Sequence, residues 1–309
     1  MATSQEYLEA YDRQLRTDAE TPSAIAVERL GPLRLVTFAG GRGFVTYQDL
    51  GGADAVTIAG WVGEALAYYR PDAAITRVEW KTRGHDRAPG LHDALVSSGF
   101  VPDEPESIMI GEARRLAVDV TLPDEVGLRQ ITSEPDVRAM FAMQAEVFGV
   151  PEIEDTANAA LRLAVDVALP DEVGLREVTS EPDVRAMCAM QAEVFGDSDT
   201  EDTANAVLRR LATGDGMQLW VAEAGGQIVS AGRLEPVAGT EFAGIWGGAT
   251  RPEWRGRGIY RALTAARARS ALALGKRLIH SDSTEFSRPI LERAGLVKVS
   301  TTTPYMWRR

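Results

Sequence analysis

Cysteine is almost missing from this 309-residue chain: Cys188 is the single one, which excludes an internal disulfide framework. Three scattered histidines, His85, His92 and His280, give no metal-ligand spacing. No apolar run approaches the ~20 residues that a membrane-spanning helix needs. The N-terminus lacks the charged-then-apolar layout of a secretory signal. Nor is there a basic stripe with interleaved aromatics of the kind that binds nucleic acid. These absences predict a cytoplasmic, metal-free protein without a membrane or nucleic-acid partner.

What is present is an ordinary globular composition, 45% hydrophobic and 25% charged, in a chain long enough for two domains. The net charge of -12 is not spread evenly. Residues 116–162 carry nine acids and three arginines, and residues 163–209 carry eleven acids and three arginines. The remainder is close to neutral, so the acidity belongs to one segment written twice.

That segment is the most unusual feature of the chain. Residues 116–162 and 163–209 align without a gap and differ at nine of 47 positions. A solenoid normally needs three or more units, so two copies indicate partial duplication of a domain rather than a repeat architecture. Each copy predicts a strand, Val126–Ile131 or Val173–Val178, after a Leu-Pro-Asp-Glu turn. Ser133 or Ser180 then sits as a helix N-cap, followed by Glu-Pro-Asp in the first turn. A second helix is expected near 202–212.

Around the copies, hydrophobic periodicity predicts a helix over 5–15 and a hairpin of strands 33–38 and 44–47. A helix at 55–69, a strand at 75–81, a helix at 88–98 and a strand at 107–111 follow. After the second copy come strands at 218–223, 227–234 and 242–250. Then a helix (259–274), a strand (277–281), a helix (287–294) and a strand (301–307) are expected. This order predicts an α/β (α+β) fold with a mixed, mostly antiparallel sheet flanked by helices.

The chemistry concentrates where the strand ending at Thr250 meets the helix starting at Ile259. Between them runs Arg251-Pro-Glu-Trp-Arg255-Gly256-Arg257-Gly258. Gly256 and Gly258 let backbone N–H groups approach an anion closely. The helix N-terminus adds unpaired donors and partial positive charge. Arg255, Arg257 and Arg261 add full charges, so the loop is suited to a pyrophosphate. It is neither a Gly-x-x-x-x-Gly-Lys-Ser/Thr loop nor a dinucleotide Gly-x-Gly-x-x-Gly loop.

Arg255-x-x-Gly258-x-Tyr260 resembles the Gln/Arg-x-x-Gly-x-Gly/Ala signature of the GNAT superfamily of N-acetyltransferases. The order of elements over about 170–309 is similar too. The resemblance implies acetyl-CoA as co-substrate and a primary amine as acceptor. It places Gly248, Ala249 and Thr250 beside the pantetheine arm. Gly256, Arg257, Gly258, Ile259, Tyr260 and Arg261, with Arg255, would take the pyrophosphate. Tyr260 departs from the family's small residue. Where members commonly carry a general-acid tyrosine, this chain has Leu291, so Tyr305, Ser287 and Tyr260 are the alternatives. The position usual for a base carboxylate corresponds to Gly244, which leaves Glu241, Glu235, His280 and Asp282. Of all these, Tyr305, Glu241, His280 and Ser287 are the catalytic candidates carried forward.

The N-terminal part resembles the family faintly, through its element order and its Leu95-Val-Ser-Ser-Gly99-Phe100 ending, but has no basic glycine loop. The expected division is therefore a degenerate GNAT-like domain at 1–114, the first copy at 115–162, and a catalytic domain at 163–309 containing the second copy. In that arrangement the second copy completes the catalytic sheet. The first is extruded, and its apolar helix face, Val137, Met140, Phe141 and Phe148, supports a homodimer through residues 116–162. Two other readings stay open: a non-catalytic acyl-CoA-binding or regulatory protein, and an interaction protein assembled through the duplicated segment.

Overall fold

The computed structural model describes residues 2–120, 122–131, 136, 139, 140, 143, 214–224, 227–285 and 287–309. The elements expected of the second copy, both serine caps and the helix near 202–212 lie outside the described residues. In chain order the first elements are α1 (Ser4–Gln14), β1 (Ala26–Leu30), β2 (Leu33–Phe38), β3 (Arg42–Tyr47), α2 (Ala55–Tyr69) and β4 (Arg77–Arg83). Next come α3 (Leu91–Ser97), β5 (Val101–Pro102), β6 (Glu106–Glu112), α4 (Ala113–Leu116) and β7 (Gly127–Ile131). The chain continues with β8 (Gln218–Ala224), β9 (Gln227–Pro236), β10 (Phe242–Thr250), α5 (Ile259–Ala273), β11 (Leu278–Ser283), α6 (Arg288–Arg293) and β12 (Val297–Arg308). This is a mixed α/β architecture with mostly antiparallel strands flanked by helices, as the sequence predicts.

Contacts divide the chain into two units. One comprises Met1–Glu112, Val237–Phe242 and Leu278–Arg309; the other comprises Ala113–Pro236 and Ala243–Arg277. Residues 278–309, expected at the end of the catalytic domain, therefore cluster with the N-terminal residues.

In the first unit the strands run in the order β1-β2-β3-β4-β12-β6-β11. Every neighbouring pair is antiparallel except β3 with β4. The helices begin where the chain supplies caps. Thr3 and Glu6 form a reciprocal capping box at α1, and Asp54 accepts from the Thr57 N–H at α2. One core packs Ile58, Val62 and Leu66 of α2 and Leu91 and Leu95 of α3 against Leu33, Val45, Val78 and Trp80. A second packs Tyr7, Tyr11 and Leu15 against Ile108, Ile110 and Phe242. β1 was not apparent in the sequence: four of its five residues are exposed, so it lacks the period-2 burial that marks a strand.

Charged groups are also buried in this unit, and several of them are paired. Lys81 Nζ lies 2.7 Å from Asp282 Oδ2. Arg16 bridges Asp12 and Asp86, and Arg83 and Arg34 both reach Glu20. Burial pushes the Asp282 carboxyl up, but Lys81 outweighs it and holds the group below its usual range. Glu79 and Glu106 are raised, chiefly by burial.

The second unit is an antiparallel run β10-β9-β8-β7, with α5 packed on β8 and β9 and α4 against α5. Its edge strand corrects an expectation. β7 belongs to the first copy, and it pairs with β8 from Gly127↔Glu223 to Ile131↔Leu219. Val126 is buried with Ala222, Val229 and Ile259, and Leu122 and Leu128 pack on that cluster. The strand of the first copy is therefore not extruded. Along the β8 edge Val126 and Ile131 are buried and Leu128 packs on the same cluster, which is favourable at about 25 cal/mol per Å².

Among the described residues no helix is long and apolar enough to cross a membrane. Among the same residues no group of His, Cys, Asp and Glu could hold a metal ion.

Candidate functional site

The centre of the candidate site is an irregularity in β10. Trp246 pairs with Arg233 and Ala249 with Ala231, so Gly247 and Gly248 together oppose the single residue Gly232. Such a bulge leaves an extra residue outside the ladder and turns the strand. Gly247 supplies the positive φ, 59°, that this requires. Glycine is needed at the other two positions for space. A Cβ on Gly248 would lie 2.6 Å from Cε2 of Tyr260, and one on Gly232 would lie 2.5 Å from Nη1 of Arg267. Two side chains of α5 thus press directly beneath the bulge.

The strand end is pinned by hydrogen bonds. The buried Ser230 hydroxyl donates to the Ala249 carbonyl at 2.6 Å and lies 2.8 Å from the Thr250 hydroxyl. The Arg251 N–H donates to the Val229 carbonyl at 2.9 Å. The chain then makes a 3-10 turn at Pro252–Trp254, and Arg255 Nε donates to the Thr250 carbonyl at 3.1 Å. That bond folds the loop back over the end of β10 and fixes where Arg255 carries its charge.

Gly258 begins α5 with φ 79°, and no side chain caps the helix. The first-turn N–H groups are therefore left for another acceptor. Gly256, φ 75°, has open space around it. Residues Arg255, Gly256, Arg257, Gly258 and Arg261 are all exposed, whereas Ile259 is buried and anchors the helix to the core. Arg257 stacks 4.8 Å above the Trp254 ring and reaches Glu125 at 3.3 Å. Among the described residues no carboxylate pairs with Arg255 or Arg261. An uncapped helix N-terminus, an open glycine and exposed guanidinium groups fit a pyrophosphate.

Behind the loop, Arg267 is buried and forms no ion pair among the described residues. It donates to the Leu263 and Arg233 carbonyls and to the Thr264 hydroxyl. Burial lowers its pKa and raises that of Tyr260, which the neighbouring Arg267 charge partly offsets. The sequence treats Arg267 as one more arginine on a helix. The glycine directly across from it at 232 was the available signal of its burial.

The predicted cofactor residues Gly248, Ala249, Thr250, Arg255, Gly256, Arg257, Gly258, Ile259, Tyr260 and Arg261 are thus contiguous, in the second unit. The four catalytic candidates belong to the first. Tyr305 is in the N-terminal core, its hydroxyl 2.8 Å from His92 Nδ1, and burial raises its pKa. Glu241 exchanges two hydrogen bonds with the side-chain amide of Gln14, at 3.0 and 2.9 Å. His280 is buried with its ring edge-on to Phe242. Ser287 stands before α6 without capping it, its hydroxyl 3.4 Å from the Thr284 carbonyl. Leu291 is 1% exposed and serves as core.

The profile of the acetyltransferase (GNAT) domain family matches residues 144–281. Among curated proteins no sequence matches. Solved structures share the architecture at low identity. A GCN5-related N-acetyltransferase from Kribbella flavida is 14% identical, with 99% of this chain and 96% of that one covered and a TM-score of 0.59. A second, from Sphaerobacter thermophilus, is also 14% identical, over 99% and 86%, with a TM-score of 0.52. A tandem GNAT protein from the clavulanic acid biosynthesis pathway is 14% identical over 93% and 84%, with a TM-score of 0.52. The fold is therefore that of GNAT acetyltransferases, and residues 144–281 are similar to the acetyltransferase (GNAT) domain family.

Proposed function

We propose that this protein is an acyl-CoA-dependent N-acyltransferase, with acetyl-CoA as its co-substrate and a primary amine as acceptor. The observation that carries the reading is the uncapped, glycine-led N-terminus of α5 beside exposed Arg255, Arg257 and Arg261. Gly256, Gly258 and the first-turn N–H groups hold the pyrophosphate, and the arginines neutralise it. The bulge at Gly247 and Gly248 turns backbone groups of β10 out of the ladder, where they pair with the amide arm of the co-substrate. The acceptor amine attacks the thioester carbonyl directly; the amide bond forms, the carbon–sulfur bond breaks, and the departing thiolate takes up the proton released by the amine. Leu291 has no proton to donate, so the thiolate departs without a dedicated acid at that position. Residues 1–112, which lack a basic glycine loop, bind no co-substrate of their own.

Calorimetric titration with acetyl-CoA, on the wild type and on a protein carrying Arg255→Glu and Gly258→Trp, tests the loop. Binding by the wild type that is lost in the variant supports the reading. Absence of binding by the wild type removes it.

A further inference from the structure

β9 and β10 carry, just before the bulge, a group of side chains that the loop chemistry does not use. Gly244 pairs with Glu235 and Trp246 with Arg233, and in an antiparallel ladder such partners share one face of the sheet. Gly232 and Leu234 face the other way, toward α5, where Gly232 abuts Arg267. Contacts between the side chains agree: Arg233 Nε donates to Glu235 Oε1 at 3.1 Å. The Trp246 indole lies across Gly244, with Nε1 2.3 Å from where a Cβ would stand. Glycine at 244 is thus what leaves room for the indole beside its own strand. Arg233 and Glu235 retain 21% and 16% side-chain exposure, and Trp246 is half-buried, so the group forms an accessible, partly desolvated surface.

We propose that Glu235 and Trp246 bind the ammonium group of the acceptor. This rests on the acyltransferase reading above and assigns the acceptor end of that site. A carboxylate beside an aromatic face recognises a primary alkylammonium by charge and by cation–π attraction, both stronger where water is partly excluded. The ion pair with Arg233 holds the Glu235 carboxylate in place. Position agrees as well: Trp246 stands five residues before Arg251, roughly 17 Å up-strand at about 3.4 Å per residue. An arm extended from the loop along β10 brings its reactive end to this surface. Once the ammonium is seated, Glu235 is the group placed to take its proton before attack.

The experiment measures amine binding and co-substrate binding separately, on the full chain. Phenethylamine, spermidine and L-lysine are titrated in the presence of CoA into the wild type, Glu235→Gln, Glu235→Asp and Trp246→Leu. At least one amine is expected to bind the wild type and to weaken tenfold or more in Glu235→Gln and Trp246→Leu. Partial recovery is expected in Glu235→Asp, with CoA affinity unchanged within twofold throughout. Equal amine affinity in all four proteins, or no amine bound by the wild type, overturns the assignment. Failure of the wild type to bind CoA overturns the acyltransferase reading instead, and titrations without CoA then still compare the four proteins for their amine surface.

Discussion

A Cβ added to Gly248 would stand 2.6 Å from Cε2 of Tyr260 and 3.0 Å from its hydroxyl oxygen. The bulge and the first turn of α5 are therefore built as one contact. Any larger residue at 248 has to move the tyrosine or the strand. Gly248→Ala is expected to cost about 1–3 kcal/mol through overpacking and to weaken acetyl-CoA binding. Adding Tyr260→Ala should restore most of the stability. Chemical denaturation of the single and double variants checks this, and equal destabilisation in both would show that the contact is not the cause.

The loop arginines should act through charge. Arg255→Gln is expected to weaken acetyl-CoA several-fold, Arg255→Glu more, and both effects should diminish as salt rises toward 1 M. Desulfo-CoA, which keeps the pyrophosphate but lacks the sulfur, should show the same ratios. Titrations at low and high salt measure this directly.

Lys81 and Asp282 form a buried pair, 19% and 8% exposed. Removing one partner leaves the other charge in a dry site, which typically costs about 3–5 kcal/mol. Lys81→Met should show a loss of that order at pH 7. The Asp282 pKa is depressed in the folded state, so its contribution is present above the unfolded value of 3.8 and lost as pH falls through the folded value. The difference between wild type and Lys81→Met should therefore shrink toward pH 3. Urea midpoints across pH 3 to 7 give the comparison.

Glu79 behaves in the opposite sense. Burial raises its pKa, so in the folded state the protonated form is favoured and its cost grows as pH rises through that value. Glu79→Gln should raise the melting temperature at pH 8 and leave it nearly unchanged at pH 4. A variant that is no more stable at pH 8 would show that the charge is compensated.

The duplicated segment makes a deletion test direct. β7 comes from the first copy, and the residues it uses, Leu122, Glu125, Val126, Leu128 and Arg129, recur 47 positions later as Leu169, Glu172, Val173, Leu175 and Arg176. Deleting residues 163–209 should leave a folded protein that binds acetyl-CoA as the full chain does. Introducing Val126→Asp into the shortened chain, where no second copy remains, should abolish cooperative unfolding. An insoluble shortened chain would show that the second copy is structurally required.

Much of the fold was legible because it is written locally. The helix at 55–69 follows from a capping aspartate and an apolar stripe, and β8, β9 and β10 from short β-branched and aromatic runs. The phosphate-cradling loop was legible for the same reason: Gly256 and Gly258 take positive φ within a few residues of the arginines they accompany. Candidate acids and bases were less so. Tyr305 reads as a spare phenol until β12 carries it to His92, and Glu241 reads as a spare carboxylate until α1 brings Gln14 to it.

By itself the sequence determined the elements, the loop and its charge, since backbone conformation and capping depend on neighbours in the chain. The tertiary structure decided that the strand of the first copy pairs with the β8 edge, because the two copies are nearly identical in sequence and local propensity cannot separate them. It also decided that residues 278–309 cluster with the N-terminal unit, that Arg267 is buried against Gly232, and that Trp246 lies over Gly244 beside Glu235. Each of these is a matter of strand register and packing between distant segments, which pair according to the surface they can bury together.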